Sequence, residues 1–184
     1  MTTTAAPTAV PMHPEAVVGH PELMVWVLPE GTLPAVGRLR HAPGDLGDLM
    51  ADGLIATVTL VQGGGRILIG LGDGASWRML GARVRTALHA ALQALDAWVI
   101  DAEDDSDTNE LIREGVEAVL AGPCGAYVAS HGGRIELVEV RGGVAGIRFH
   151  GTCRTCPAAA ITMSMRFERD LRTHCPVVRG VRRC

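Results

Sequence analysis

The sequence predicts an α+β protein: two small α/β domains joined by an acidic linker, the second running helix, hairpin, helix and strand. Three observations predict it. Short apolar runs rich in β-branched residues are punctuated by glycine, longer stretches carry apolar residues at helical spacing, and five acids fall within the seven residues from Asp101 to Asp107. The chain has 184 residues and is 47% hydrophobic, enough to bury one large core or two small ones.

Residues 1–20 have no basic leader, no long apolar stretch and several prolines, so they read as a disordered lead rather than a signal peptide. A first domain is expected over 21–98. Met24–Leu28, Leu54–Val61 and Arg66–Leu71 read as strands of one sheet, bounded by Pro29, Gly31 and the turn Gly63-Gly-Gly65. Ser76 is placed to cap a helix reaching about Leu95, because Leu80, Val84, Ala87, Leu88, Ala91 and Leu95 share one face. This half contains no cysteine.

Residues 99–107 read as the linker, since such a density of carboxylates solvates itself. The second domain is expected over 108–184. Asp107 followed by Glu110 matches the start of a capping box, and Leu111, Ile112, Val116, Val119 and Leu120 continue it as an amphipathic helix ending at Gly122-Pro123. Arg134–Val140 and Val144–Phe149 flank Gly142-Gly143, a hairpin signal. After Cys156, Pro157 suits a first helical position, and Ala158, Ile161, Met165 and Leu171 are expected to line the buried side of a helix reaching about Thr173. Val177–Val181 then reads as a short closing strand.

Composition narrows the function. The formal net charge is -3, which argues against a nucleic-acid coat, and no run is long enough to cross a membrane. All 17 basic residues are arginine, which fits the coding bias of a GC-rich genome. Five cysteines, all after position 123, do not form a disulfide framework and point to reduced thiols in a cytoplasm. No Gly-x-Ser-x-Gly, P-loop or His-Glu-x-x-His motif is present, and no catalytic residue is assigned.

Cys153 and Cys156, in the run Gly151-Thr-Cys-Arg-Thr-Cys-Pro157, are the candidate metal ligands. A thiol beside a helix start meets free amide dipoles that favour the thiolate. Three chemistries use such a pair: dithiol exchange in a thiol-disulfide oxidoreductase, a zinc-stapled interaction module, and iron–sulfur ligation. Two thiolates are half of a tetrahedral donor set, and Cys124, His131, His150, His174, Cys175 and Cys184 offer no second paired spacing. Two copies of the chain related by a two-fold axis would supply four thiolates, which suggests a cluster shared in a homodimer.

Over Leu111 to Val181 the sequence resembles the C-terminal domain of NifU-like iron–sulfur proteins of the Nfu type. The resemblance rests on Gly132-Gly-Arg-Ile-Glu-Leu-Val138, on Gly151-x-Cys153-x-x-Cys156-Pro157, on Thr162-Met163 and on Cys175-Pro176-x-Val178. It implies a small α/β domain that holds a [4Fe-4S] cluster between two subunits and passes it to apo-proteins, with Cys153 and Cys156 as ligands; a [2Fe-2S] form stays open. It also implies a non-enzymatic scaffold or carrier, with upstream assembly factors as further partners. The front half is similar more loosely: His20-Pro-Glu-Leu-Met-Val-Trp-Val-Leu-Pro29 and Ser76-Trp77-x-x-Leu80 are similar to segments of the Nfu N-terminal domain, which implies a partner-docking or stabilising role.

The chain departs from the family pattern at His131, where Asp is usual, at Ala158–Ala160, which replace a Ser/Thr-rich stretch, and at Arg166, where Gly is frequent. Cys175 reads as a buried small hydrophobe and Cys184 as a frayed terminus.

Overall fold

The computed structural model describes residues 10–61, 63–102, 106–151 and 157–184, and of 157–163 the backbone alone. The chain divides into two compact units, Met1–Glu15 with Glu22–Asp104, and Ala16–Pro21 with Asp105–Cys184. Helices and sheets are mixed, as expected of an α+β protein.

The first unit is built on a six-stranded sheet of order β1-β2-β5-β4-β3-β6, from β1 (His13–Val17), β2 (His20–Val27), β3 (Gly37–His41), β4 (Ile55–Val61), β5 (Arg66–Leu71) and β6 (Val99–Asp101). The pairs β2–β5, β5–β4, β4–β3 and β3–β6 are antiparallel. Ile67, Leu68 and Ile69 of β5 are all buried, the continuous apolar pattern of a central strand covered on both faces. Helices α1 (Asp45–Ala51) and α2 (Trp77–Ala91) join Leu46, Leu49, Val84 and Leu88 to a core that contains Trp26 and Trp98. Asp45 receives both Nε and a terminal nitrogen of Arg83, tying the two helices together outside that core.

The three strands and the helix after Ser76 stand where the sequence puts them, except that the Ser76 side chain makes no capping hydrogen bond, α2 stops at Ala91 and a 3₁₀ segment, Leu92–Ala97, follows it. Two expectations are corrected. The disordered lead over 1–20 is wrong from His13 onward, because β1 occupies His13–Val17 and β2 begins at His20. The linker over 99–107 is likewise too long: Val99–Asp101 pair with β3, and Arg40 holds Asp101 at 2.7 Å, so that carboxylate is used by the sheet edge. Helix α1 escaped detection because Gly47 looks like a breaker; a β-carbon there would lie 2.1 Å from the carbonyl oxygen of Ala42, so glycine permits a close approach.

The second unit places three helices against a three-stranded sheet. Its elements are α3 (Ser106–Ala121), α4 (Pro123–Ser130), β7 (Gly133–Arg141), β8 (Val144–Gly151), α5 (Pro157–His174) and β9 (Gly180–Arg183). The sheet order is β7-β8-β9, with β7 antiparallel and β9 parallel to β8. Ile135 and Val140 of β7 and Ala145, Ile147 and Phe149 of β8 are buried together with Leu111, Ile112, Val116, Phe167 and Leu171 of the helices. Arg134, Glu136 and Arg148 alternate with them on the exposed face.

Three details differ from the sequence reading. The order is helix, helix, hairpin, helix, strand, because Gly122-Pro123 ends α3 and Pro123 opens α4 at its first turn. Met165 is 69% exposed, whereas Phe167 and Leu171 are fully buried. At 3.6 residues per turn Met165 lies about 120° around α5 from Leu171, so the two never shared a face. The closing strand is Gly180–Arg183; Val177 and Val178 are buried in the turn before it instead of pairing. The side chains of Ala158 and Ile161 lie outside the described residues.

Candidate metal centre

Cys153 and Cys156 lie outside the described residues, within the five that join Gly151 to Pro157. The structure describes the frame from which that segment departs and to which it returns.

The departure point is the end of the β7–β8 hairpin. Gly142 and Gly143 both have positive φ, +57° and +75°, as a tight two-residue turn requires. That turn sets a register in which Arg141 faces Val144 and, at the far end, Gly133 faces Gly151, with one bulge between Leu137 and Glu139. Gly151 has φ +70°, and a β-carbon on it would lie 2.1 Å from the carbonyl oxygen of Gly132. The two glycines therefore let the chain leaving α4 pass close against the last residue of β8. The return point is Pro157, the first residue of α5, which is anchored further along by Phe167 and Leu171.

Beside this frame His150 Nε2 and Glu136 Oε2 approach to 2.6 Å across the exposed sheet face. The hydrogen bond to His150 holds the Glu136 carboxyl below its ordinary value; burial opposes it, and the charges of His150, Arg148 and Arg134 add to it. On the other side His131, which follows α4, meets the ring of Tyr127 edge-on with centroids 4.6 Å apart. The guanidinium of Arg166 lies over the same ring, 4.9 Å from its centroid.

Of the remaining thiols, Cys124 and Cys175 are buried and Cys184 is exposed. Cys175 is buried, its Sγ directed at the carbonyl oxygen of Leu111 at 3.6 Å, and burial pushes its pKa up to about 12. Cys124 is buried at the start of α4, and burial, then Asp170, raise its pKa while Arg166 partly offsets them. Cys184 is exposed, yet its backbone N–H donates to Ile147, which holds the C-terminus along β8. The interaction of Tyr127, His131 and Arg166 was not foreseen; its signal was two departures from the family pattern falling around one aromatic residue.

Residues 116–182 match the NifU-like domain. The chain is 35% identical over 71 residues to NifU-like protein 2, chloroplastic, of Arabidopsis thaliana, covering 39% of this chain and 30% of that protein. It is 34% identical over 77 residues to the Fe/S biogenesis protein NfuA of Yersinia enterocolitica, and equally to that of Serratia proteamaculans, covering 41% of this chain and 40% of each relative. The chain thus spans well under half the length of these relatives. No helix among the described residues is long and apolar enough to cross a membrane. The hairpin, the Gly151 junction and the helix opened by Pro157 all lie inside the stretch of the second unit that matches the NifU-like domain.

Proposed function

We propose that the protein serves iron–sulfur cluster biogenesis as a non-enzymatic scaffold or carrier. Cys153 and Cys156 of two copies hold a [4Fe-4S] cluster as cargo at a homodimer interface and release it to apo-proteins, upstream assembly factors supplying it. The observation that carries this reading is the match of residues 116–182 to the NifU-like domain, which contains the Cys-x-x-Cys pair. Names of relatives in Fe/S biogenesis support it. The burial of Cys175 and the engagement of His150 by Glu136 support assigning the donor set to that pair and its copy.

Transfer on this reading is ligand exchange: the thiolates of a recipient replace those of the carrier one by one, with no general base required. The cytoplasm, which keeps thiols reduced, is the proposed compartment. The first unit acts as a docking or stabilising domain of the Nfu N-terminal type.

Anaerobic reconstitution with iron and sulfide tests the proposal. The expected product is a brown dimer with about four irons, and Cys153→Ser or Cys156→Ser should lose both iron and dimer. A colourless monomer that holds stoichiometric zinc, or one whose dithiol cycles with a reductase, would replace it with one of the two rival chemistries.

A further inference from the structure

We propose that the outward face of the β7-β8-β9 sheet docks an acidic segment of a partner protein in extended conformation, with Arg134 and Arg148 as its carboxylate anchors. This surface is separate from the candidate metal centre, and the proposal takes no support from the reading above.

The register of the sheet sorts its residues onto two faces. Ile135 stands opposite Phe149 and Val140 opposite Ala145, and all four are buried in the core. The alternate pairs therefore point the other way: Arg134 with His150, Glu136 with Arg148, Glu139 with Gly146 and Arg141 with Val144. Arg182 of β9 joins this outward row beside Gly146. Arg134, Arg141, Arg148 and Arg182 are all exposed. Four arginines thus share one face with two glutamates, in a chain whose formal net charge is -3.

Both glutamates are already engaged. Glu136 meets His150 at 2.6 Å, and Glu139 is ion-paired with Arg182. The Glu139 side chain reaches Arg182 across Gly146, where a β-carbon would lie 3.0 Å from Glu139 Cγ. Arg134 and Arg148 form no ion pair with a described residue, so their guanidiniums keep their forks for an incoming carboxylate.

The two arginines stand diagonally across the Glu136–His150 pair, and sheet positions so related are about 7–8 Å apart. Alternate side chains of an extended segment stand about 6.5–7 Å apart on one side. Carboxylates two residues apart on such a segment therefore reach both guanidiniums at once. Nucleic acid fits this face less well. Its outward positions hold no Phe, Tyr or Trp on which bases would stack, and the two glutamates interrupt the row that a phosphate backbone would follow.

A fluorescein-labelled peptide alternating Glu and Ser, titrated with the whole apo-protein and read by fluorescence anisotropy, tests the proposal. The peptide should bind, its Gln-for-Glu counterpart should not, and added salt should weaken the binding. Arg134→Gln and Arg148→Gln should each weaken it about threefold, and the double variant about tenfold. Glu136→Gln, which removes the carboxylate between the anchors, should tighten it about twofold. Arg85→Gln makes the same change in net charge at an exposed arginine of α2, and should leave the affinity within about 1.5-fold of the parent. Absence of binding, or equal weakening by Arg85→Gln, would overturn the proposal. So would tighter binding of an oligothymidylate, or of phosphatidylserine vesicles, with the same dependence on Arg134 and Arg148. The measurement needs no metal, so a protein that takes up no iron defeats the carrier reading and leaves this result standing.

Discussion

The carbonyl oxygen of Gly132 stands 2.1 Å from where a β-carbon on Gly151 would be, and Gly151 has φ +70°. Alanine at 151 meets both a left-handed backbone and a carbonyl that cannot retreat without breaking the Gly133–Gly151 pair. Gly151→Ala should destabilise the protein by about 2–4 kcal/mol, read as a lower urea midpoint. Hydrogen exchange should rise first at the open ends of β7 and β8.

The phase of α5 makes a paired prediction. Phe167 is fully buried and Met165 is 69% exposed. Phe167→Ala should cost about 3–5 kcal/mol, as a cavity in the core, whereas Met165→Glu should stay within about 0.5 kcal/mol. The reverse order would restore the sequence reading in which Met165 faces inward.

The misreading of α5 shows where sequence reasoning ran out. The β7–β8 hairpin was legible because its turn demands two positive φ values and Gly142-Gly143 supplies them. Helix α3 was legible because Leu111, Ile112, Val116 and Val119 keep one face over about two turns. Helix α4 was not, since Gly122-Pro123 is a strong stop signal and the same proline is a good start. Val177 and Val178 look like a strand because burial, not pairing, selects them. At the site, spacing and the family resemblance single out Cys153 and Cys156, which lie outside the described residues. The contact of Tyr127 with Arg166 depends on how α4 and α5 pack, which no local pattern encodes.

Cys175 is a buried thiol outside the proposed ligand pair. Its pKa of about 12 follows from burial, with backbone N–H groups of Val177 and Val178 offsetting it in part. Cys175→Ser puts a more polar hydroxyl in the same pocket and should cost about 1–3 kcal/mol in thermal or urea unfolding. Iron per dimer after reconstitution should equal that of the parent.

Glu136 predicts a pH effect. Its carboxyl is held below the ordinary value chiefly by the hydrogen bond with His150, so in acid the unfolded chain binds more protons than the folded one. Its contribution is present above the ordinary carboxylate range and is lost as pH falls through the lowered folded value. Between about pH 6 and about pH 3, the urea midpoint of Glu136→Gln should therefore fall less steeply than that of the parent. Parallel curves would remove the pair from the account of acid stability.

Glycine in a helix interior normally costs stability, so alanine in its place should help, and in this protein the sign should depend on what surrounds the missing side chain. Gly81 in α2 has nothing within 4 Å of its absent β-carbon, and Gly81→Ala should gain about 0.4–1 kcal/mol. Gly125 in α4 differs: a β-carbon there would stand 1.8 Å from the carbonyl oxygen of Leu120, where α4 turns back on α3. Gly125→Ala must push the two helices apart and should lose about 2–4 kcal/mol. Urea midpoints of the two variants, measured against the parent, check both signs; a gain at Gly125→Ala would show that the close approach to Leu120 does not hold α4 in place.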